Sequence, residues 1–409
     1  MPAFQIIEDL APKGKTALVR VDYNVPMLDG EVSDDTRLQR TLPTIRALQQ
    51  AGAKIVLLSH FGRPKGQRDD HYSLRPVAKA LAHILGEDVA FANDCIGPEA
   101  QRAARQLKEG QILMLENTRF HPEEEANDGD FARQIAELGE IYINDAFSCA
   151  HRAHATTEGL AHLLPSAAGR LMQEELTALS KALEHPQRPV AAIVGGAKVS
   201  TKLDLLGNLV RKVDILVLGG GMANTFMAAK GLNVGKSLYE PDMLDTARAI
   251  METAEKEECN IVLPHDVVVA NELKQGMTFR IFDANEVPDD MMILDIGPSS
   301  RTRLIETITM CKTIIWNGPL GVFEIPPFDK GTNEVAIHVA DLTKRGKILS
   351  VAGGGDTLAA MAHAGVTHGI SYLSTAGGAF LEWLEGKTLP GVAALSASIV
   401  PAKKGHVII

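Results

Sequence analysis

The sequence K-I-L-S-V-A-G-G-G-D-T-L-A-A-M-A-H, residues 347–363, predicts a strand that runs into a helix through a glycine turn. The apolar run ends at Gly353, Gly354 and Gly355, which lack a Cβ and therefore let a ligand approach the backbone closely. Free N–H groups at the start of the helix point outward at the positive end of its dipole. This arrangement is typical of a phosphate-binding corner.

Asp356 follows these glycines, and a carboxylate repels a phosphate unless a cation lies between them. Together with Thr357, it is predicted to hold Mg²⁺ on a nucleotide. The competing interpretation treats Asp356 only as the N-cap of the helix, and for an isolated corner of this kind that interpretation is favoured. The rest of the chain must decide between the two.

Length and composition exclude several classes of protein. A chain of 409 residues is too long for one core and predicts two domains. The net charge of -10 argues against nucleic acid or an anionic membrane as the main partner. No apolar run approaches the roughly 20 residues of a membrane span, and the N-terminus does not resemble a signal peptide, so we expect a cytoplasmic protein. The 4 cysteines form no C-x-x-C pair, so neither a disulfide framework nor a zinc site is indicated.

Short β-rich runs alternate with helical stretches, which predicts parallel sheets covered by helices on both faces. A helix predicted over residues 172–184 ends at Pro186 and Pro189, where we place the domain border. We therefore predict an α/β protein with two doubly wound, Rossmann-like parallel-sheet domains joined by a hinge helix. The predicted strands are 16–21, 55–58, 112–115, 141–143, 190–194, 215–218, 261–263, 313–316, 348–351 and 370–373. The other predicted helices pass through residues 38–48, 73–85 with Ser73 as N-cap and Gly86 as terminator, and 131–138.

Ligands of doubly wound sheets lie at the carboxyl ends of the strands, and in the first half of the chain these ends are polar and basic. Guanidinium groups bind carboxylates and phosphates through two parallel hydrogen bonds, so the recurrence of arginine predicts a site for a small, multiply charged anion. A single arginine would be interpreted as a surface charge. The side chains expected to converge on one crevice are Asp22, Asn24, His60, Arg63, Arg119 and Arg152, with Arg37 as a seventh.

The strand ends of the second half are rich in glycine instead, as in I-V-G-G-A-K, V-L-G-G-G-M and W-N-G-P-L-G. Lys198 and Lys202 lie four residues apart at the mouth of a predicted helix, where their ammonium groups can act on a phosphate. Glu324 is predicted to accept hydrogen bonds from ribose hydroxyls, with a surface carboxylate as the alternative interpretation.

Two other kinds of site fail on motif spacing. Neither G-G-G-M-A-N nor G-G-G-D-T-L completes the G-x-G-x-x-G fingerprint of a dinucleotide site, which weakens the interpretation as a dehydrogenase. Cys149 lies near His151 and His154, but no third partner stands at the spacing of a thiol nucleophile or a metal site.

Seven motifs occur in a fixed order: R-V-D-Y-N-V-P, S-H-F-G-R-P, L-E-N-T-R-F, A-H-R-A-H, G-G-A-K-V-S-T-K, W-N-G-P-L-G-V-F-E and G-G-G-D-T. Taken together, they resemble the phosphoglycerate kinase family over nearly the whole chain. The resemblance implies a hinged, monomeric, glycolytic enzyme that moves phosphate between 1,3-bisphosphoglycerate and ADP, giving 3-phosphoglycerate and ATP with Mg²⁺. The chain departs from the family at Tyr23, usually Phe, and at Ala376, usually the first of three glycines.

The resemblance also implies a role for each site residue. The glycerate would be contacted by Asp22 and Asn24, and its charged groups would be held by Arg37, His60, Arg63, Arg119 and Arg152. The nucleotide would be bound by Lys198, Lys202, Asn317, Glu324, Gly354, Gly355, Asp356 and Thr357, with Asp356 on Mg²⁺. The residues implied in catalysis are Arg37, Lys202, Gly354 and Gly377.

On the same basis we predict a glycerate-binding domain over residues 1–170, an interdomain helix and hinge over 171–189, and a nucleotide-binding domain over 190–389. Residues from about 390 to 409 would pack back on the first domain, although 398–409 extend past the usual end of the family. Two alternatives remain. One is an NAD-dependent dehydrogenase, and the other is a noncatalytic sensor of a nucleotide or sugar phosphate, which would need the anion crevice but neither Lys202 nor Asp356.

Overall fold

The computed structural model of the chain describes residues 4–397. Its strands are β1 (Thr16–Arg20), β2 (Met27–Leu28), β3 (Glu31–Val32), β4 (Lys54–Leu58), β5 (Val89–Ala92), β6 (Ile112–Leu115), β7 (Ile141–Asn144), β8 (Ser166–Ala168), β9 (Val190–Val194), β10 (Ile215–Leu218), β11 (Asn260–Val262), β12 (Asp266–Ala270), β13 (Arg280–Asp283), β14 (Met292–Ile296), β15 (Thr313–Asn317), β16 (Leu349–Gly353) and β17 (Tyr372–Ser374).

Helices connect most of the successive strands. They are α1 (Thr36–Gln50), α2 (Arg75–Leu85), α3 (Gly97–Gln106), α4 (Pro122–Glu125), α5 (Gly129–Ala136), α6 (Leu160–Leu163), α7 (Arg170–Leu179), α8 (Leu203–Leu209), α9 (Gly220–Ala229), α10 (Leu244–Lys256), α11 (Pro298–Met310), α12 (Lys330–Lys344), α13 (Gly355–His363), α14 (Gly378–Leu384) and α15 (Pro390–Ala397). None of the helices within residues 4–397 has both the length and the apolar character of a membrane span.

The first sheet has six parallel strands in the order β5-β6-β4-β1-β7-β8. Every residue of β1 is buried, because helices cover both faces of the sheet. Alternate side chains point to opposite faces, so Val19 and Leu57 join one apolar cluster while Leu18 and Val56 join another. This two-sided burial leaves the strand ends as the places where polar side chains emerge.

The second sheet also has six parallel strands, in the order β11-β10-β9-β15-β16-β17. The predicted fold class, two parallel α/β sheets covered by helices, is therefore confirmed. Several elements are not predicted by the sequence pattern: strands β5 and β8, the hairpin β2-β3 and an antiparallel sheet with strand order β13-β12-β14. The antiparallel sheet is an addition to the doubly wound pattern of the second half.

Two predicted helix boundaries differ from the structure. Helix α2 begins at Arg75, so the N-cap position is Leu74 and not Ser73. Ser73 still caps this helix start, because its hydroxyl accepts a hydrogen bond from the backbone N–H of Arg75 at 3.2 Å and donates to Glu116 at 2.7 Å. The helix predicted over 172–184 is a regular α-helix only up to Leu179, and Ser180–Glu184 continue it as a wider π-helical turn.

The contacts divide the chain into two compact units. One comprises the described residues of 1–176 and 388–409, and the other is Thr177–Lys387. Helix α15 belongs to the first unit, where Gly391 donates a backbone hydrogen bond to Ala150 at 2.9 Å and Ala394 joins the apolar cluster that contains Leu18. The predicted packing of residues 398–409 lies outside the described part of the chain.

A buried carboxylate fixes the start of helix α7 in the first unit. Asp145 accepts hydrogen bonds from the backbone N–H groups of Leu171 at 2.9 Å and Met172 at 3.2 Å. Burial raises the pKa of Asp145 to about 7. A Cβ on Gly169 would lie 2.2 Å from Oδ1 of Asp145, so glycine is required where β8 passes into the helix.

We expect Gly169→Ala to lower the free energy of unfolding by about 1–3 kcal/mol, because the added methyl group overpacks the Asp145 carboxylate. Gly129→Ala is the matched control, since its Cβ would meet only Arg133 Nη1 at an ordinary 3.5 Å. Urea denaturation followed by circular dichroism measures both variants. Equal midpoints for the two would contradict the steric role assigned to Gly169.

Candidate active site

Asp22 organises the polar end of the first sheet. It follows strand β1, and its Oδ2 accepts hydrogen bonds from the Arg37 guanidinium and from Ser148 Oγ, the latter at 2.5 Å. Its Oδ1 accepts a hydrogen bond from the backbone of Asn24 at 3.2 Å. Burial opposes ionisation, but the charges of Arg37 and Arg20 and the hydrogen bond from Ser148 hold the pKa of the Asp22 carboxyl below its ordinary value. Asp22 is therefore a fixed anion among basic groups.

His60 follows strand β4 and lies beside Asp22. Its Nδ1 is 3.1 Å from Nη2 of Arg20, 3.9 Å from Oδ1 of Asp22 and 4.0 Å from Sγ of Cys149. Burial and the nearby Arg20 charge lower the pKa of His60 well below its ordinary value, against the opposing effect of Asp22. The imidazole is consequently neutral at physiological pH.

Gly62 connects two more of the predicted residues. Its N–H donates to Asn24 Oδ1 at 2.9 Å, and its carbonyl accepts from Arg119 Nη1 at 3.0 Å. The Arg119 side chain is buried and its Nε lies 3.1 Å from Glu125 Oε1. Burial lowers the pKa of Arg119. The loops that follow β1, β4 and β6 therefore meet at one place.

The remaining arginines differ in exposure. Arg63 is exposed and makes no ion pair within the described part of the chain. Arg152 is half-buried, and its charge contributes to lowering the pKa of His60 and of His154. All seven predicted anion-binding residues thus lie in the first unit, and Asp22, Arg37 and His60 form its most closely connected group.

A buried hydrogen-bond network lies behind His60 and is not predicted by the sequence motifs. Arg20, the last residue of β1, is 1% exposed, and its Nε donates to Thr156 Oγ1 at 2.8 Å. Thr156 Oγ1 donates in turn to Oε1 of the fully buried Glu124 at 2.5 Å. The available signal was an arginine that ends an otherwise apolar strand, T-A-L-V-R, because a charge in such a place must find buried partners. Glu124 gave no comparable signal within P-E-E-E.

In the second unit, Lys202 occupies the N-cap position of α8. Its Nζ donates to the carbonyl of Gly195 at 2.7 Å, to the carbonyl of Asn317 at 3.2 Å and to Asn317 Oδ1 at 2.7 Å. All three acceptors are uncharged. Burial lowers the pKa of Lys202 to about 8, and the charge of Asp356 acts in the opposite direction.

Glycines allow the loops around Lys202 to pack so closely that their backbones are in direct contact. A Cβ on Gly195 would lie 1.7 Å from the carbonyl oxygen of Pro319, and one on Gly318 would lie 2.2 Å from that of Gly195. The N–H of Gly318 donates to Thr357 Oγ1 at 2.7 Å, and Asn317 Nδ2 donates to the carbonyl of Gly353 at 2.8 Å. The loops that follow β9, β15 and β16 are therefore joined by direct hydrogen bonds.

The glycine corner has the backbone geometry that the sequence predicts. Gly354 is the N-cap of α13 with a φ of 99°, and Gly377 is the N-cap of α14 with a φ of 54°; both values favour glycine. Asp356 is exposed in the first turn of α13. Thr357 is buried, and its hydroxyl accepts from the N–H of Gly318, which joins the corner to the loop after β15.

A cavity of about 330 Å³ adjoins this corner and has both polar and apolar walls. Asp356 and Glu324 line it together with apolar side chains such as Leu238, Leu320 and Phe323. Lys198 is exposed in the loop after β9 and does not line the cavity. An exposed carboxylate beside free helical N–H groups fits a hard cation such as Mg²⁺ on a phosphate.

The fold and these two sites define a class. Parallel α/β units with an arginine-rich anion site in one and a glycine corner with a partly buried lysine in the other have the features of a small-molecule phosphotransferase. The profile of the family described as phosphoglycerate kinase matches residues 7–387. The chain belongs to the phosphoglycerate kinase family, and it is an enzyme, a kinase.

Individual relatives agree with this assignment. The phosphoglycerate kinase of Rhodospirillum centenum is 61% identical over 395 residues, which cover 97% of this chain and 100% of the relative. That of Azorhizobium caulinodans is 60% identical over the same coverage. The solved structure of phosphoglycerate kinase from Coxiella burnetii has a TM-score of 0.91 at 42% identity, covering 97% of this chain and 99% of its own. The dehydrogenase and the noncatalytic sensor are not supported.

We expect the Lys202 ammonium group to titrate near pH 8 in the ligand-free protein, so that its positive charge is present below that pH and lost above it. NMR of protein labelled with ¹³C-lysine follows the Cε shift, and Lys202→Arg assigns the resonance by removing it. Asp356→Asn should lower the midpoint further, because the Asp356 charge favours the ammonium form. A midpoint near the ordinary value of 10.5 would contradict this environment for Lys202.

Proposed function

We propose that the chain catalyses the reversible, Mg²⁺-dependent transfer of a phosphoryl group between 1,3-bisphosphoglycerate and ADP, giving 3-phosphoglycerate and ATP in glycolysis. The observation that carries the proposal is the partly buried Lys202 ammonium, whose hydrogen-bond acceptors are all uncharged. A partly desolvated cation without an anionic hydrogen-bond partner attracts an anionic ligand, and the adjoining glycine corner suits a phosphate. Residues 190–389 are thus proposed as the nucleotide-binding domain.

The glycerate is proposed to bind in the domain of residues 1–170. Arg63 has a free guanidinium within the described chain, and Arg37, Arg119 and Arg152 add three more cations for the carboxylate and phosphate groups. Asp22 is held ionised and can accept a hydrogen bond from a substrate hydroxyl, with the amide of Asn24 and the ring of His60 alongside. The cations suit the carboxylate and phosphate of a phosphorylated hydroxy acid, and the ionised Asp22 suits its hydroxyl group.

The nucleotide is proposed to occupy the cavity beside the glycine corner. Its apolar wall suits the base, and Glu324 lines the same cavity and can accept from ribose hydroxyls. The phosphates would reach Lys202, Lys198, Asn317 and the corner residues Gly354, Gly355 and Thr357. Asp356 would hold Mg²⁺, which neutralises phosphate charge and orients the oxygens when it is bound.

The chemistry needs no general base. In the ATP-consuming direction the nucleophile is a carboxylate, which is already ionised near pH 7. What remains is to neutralise a loose phosphoryl group and to align donor and acceptor. We propose the side chains of Arg37 and Lys202 and the backbone N–H groups at Gly354 and Gly377 for that task.

Lys202→Ala should lower kcat by about 100-fold or more with a smaller change in KM, the result of losing one charge partner in the transition state. The assay follows 3-phosphoglycerate-dependent formation of ADP, and its repetition in EDTA tests the requirement for Mg²⁺. Lys256→Ala, at an exposed position at the end of α10, is the control and should have wild-type activity. Near-normal turnover by Lys202→Ala would refute the role proposed for this lysine.

We further propose that the chain acts as a monomer in the cytoplasm and that its two domains close around the substrates. One domain carries the basic groups and the other the glycine corner, whereas in-line transfer needs both reactants around one phosphorus. Closure also removes water that would hydrolyse an acyl phosphate. The proposed hinge is residues 171–189, where the α-helix widens into the π-helical turn Ser180–Glu184.

Small-angle scattering tests domain closure directly. We expect 3-phosphoglycerate and Mg-ATP together to reduce the radius of gyration more than either ligand does alone, because only the pair spans both proposed sites. Scattering from the ligand-free protein and from each single-ligand sample supplies the comparison. The absence of additional compaction with both ligands present would exclude closure as the step that assembles the site.

A further inference from the structure

The ring of His60 is held from behind by a chain of buried groups that the proposed reaction does not use. Glu124 accepts from Thr156, Thr156 accepts from Arg20 Nε, and Arg20 Nη2 reaches His60 Nδ1 at 3.1 Å. Arg20 Nη1 also donates to the carbonyl of Val21. Burial lowers the pKa of Arg20, but Cys149, Glu124 and Asp22 outweigh that effect and raise it. The arginine is therefore a permanent cation with a fixed direction.

This contact determines where the proton of the neutral ring lies. A guanidinium can only donate hydrogen bonds, so the nitrogen that it reaches must supply a lone pair. Asp22 is the competing partner because it would accept from a protonated Nδ1, yet its Oδ1 is 3.9 Å away. A separation of 3.9 Å is too long for a hydrogen bond, whereas the 3.1 Å between Arg20 Nη2 and Nδ1 is not. Nδ1 is therefore the acceptor, and the single proton lies on Nε2.

The opposite ring nitrogen is free for a ligand. The His60 side chain is 6% exposed. Its Nε2 has no hydrogen-bond partner among the described residues, and it is not among the polar atoms that are buried without a partner, so it is accessible. Of the two ring nitrogens, Nε2 is thus the one that remains available beside the arginines. Because it carries the proton, it can donate one hydrogen bond without carrying a charge.

We propose that Arg20, anchored through Thr156 to Glu124, is a positioning residue that fixes His60 in the Nε2–H tautomer, so that the ring presents a neutral donor to an anionic oxygen of the substrate. The inference rests on the proposed binding of 3-phosphoglycerate in this unit. His60 then orients the substrate oxygen by a hydrogen bond from its neutral ring, and the arginines balance the negative charge of the substrate. A substrate group that can only donate would be rejected at this position.

The tautomer can be read without any ligand or activity. Long-range ¹H–¹⁵N NMR of protein labelled with ¹⁵N-histidine should show a pyridine-like shift at His60 Nδ1 and a pyrrole-like shift at Nε2, with His60→Gln identifying the signals. In Arg20→Met, the pattern should change to a mixture or to Nδ1–H. Arg20→Lys keeps a cationic donor and should restore the wild-type pattern in part. Arg46→Met, which removes an exposed arginine paired with Glu87, is the control and should leave it unchanged.

Kinetics supply a second measurement. Arg20→Met should raise KM for 3-phosphoglycerate by about tenfold, the effect of one lost hydrogen bond, and leave KM for ATP unchanged. The His60→Gln side chain offers an N–H at about the Nε2 position that does not depend on Arg20. Arg20→Met should therefore raise KM much less in the His60→Gln background than in the wild-type background.

An Nδ1–H tautomer in the wild-type protein overturns the proposal, and so does an unchanged tautomer in Arg20→Met. If Arg20→Met fails to fold, Thr156→Val replaces it, since this variant releases the Arg20 side chain while preserving volume. An unaltered tautomer in Thr156→Val would then overturn the anchoring role. If the wild-type protein does not phosphorylate 3-phosphoglycerate, the proposed function fails, whereas the NMR result on the tautomer stands by itself.

Discussion

Burial of a parallel sheet on both faces is the constraint on which the rest of the structure depends. Every side chain of β1 and of β9 is buried, so functional side chains emerge where the strands end. A charged group at a strand end is only partly hydrated, so it needs hydrogen-bond partners from the protein or from a ligand. Arg20 donates to the hydroxyl of Thr156, which donates in turn to the carboxylate of Glu124. Lys202 donates only to uncharged oxygens. The first charge is satisfied within the protein, and the second remains available to a ligand.

The buried strands could be predicted because they are short apolar runs with clear ends. The run at residues 190–194 and the run at 215–218 coincide with β9 and β10. The antiparallel strand β13 could not be predicted in this way, because R-I-F-D is mostly exposed and shows no apolar run. Strand β8 is S-A-A, too short and too small to be distinguished from a turn. Both owe their conformation to the neighbouring strands rather than to their own residues.

The site was predictable where one residue type recurs at equivalent places. Arginine after successive strands and glycine after successive strands each form a pattern that a single occurrence would not. Arg20 and Glu124 form no pattern, because they are linked only through Thr156, which lies 136 positions from Arg20 and 32 from Glu124. The hydrogen bond that Thr357 accepts from the N–H of Gly318 could not be predicted for the same reason, because the two residues are 39 positions apart.

Helix α15 has a consequence for how the chain is made. It lies after the whole of the second unit in sequence, yet it packs on the first, with Gly391 bonded to Ala150 and Ala394 in the apolar cluster around Leu18. A ribosome synthesises the chain from its N-terminus, so helix α15 is made only after nearly the whole chain has been translated. The first unit cannot complete its fold before then. During that interval the apolar surface around Ala150 and Leu160 lacks its cover. Although synthesis begins with the first unit, all residues of the second unit are made before the last helix of the first unit.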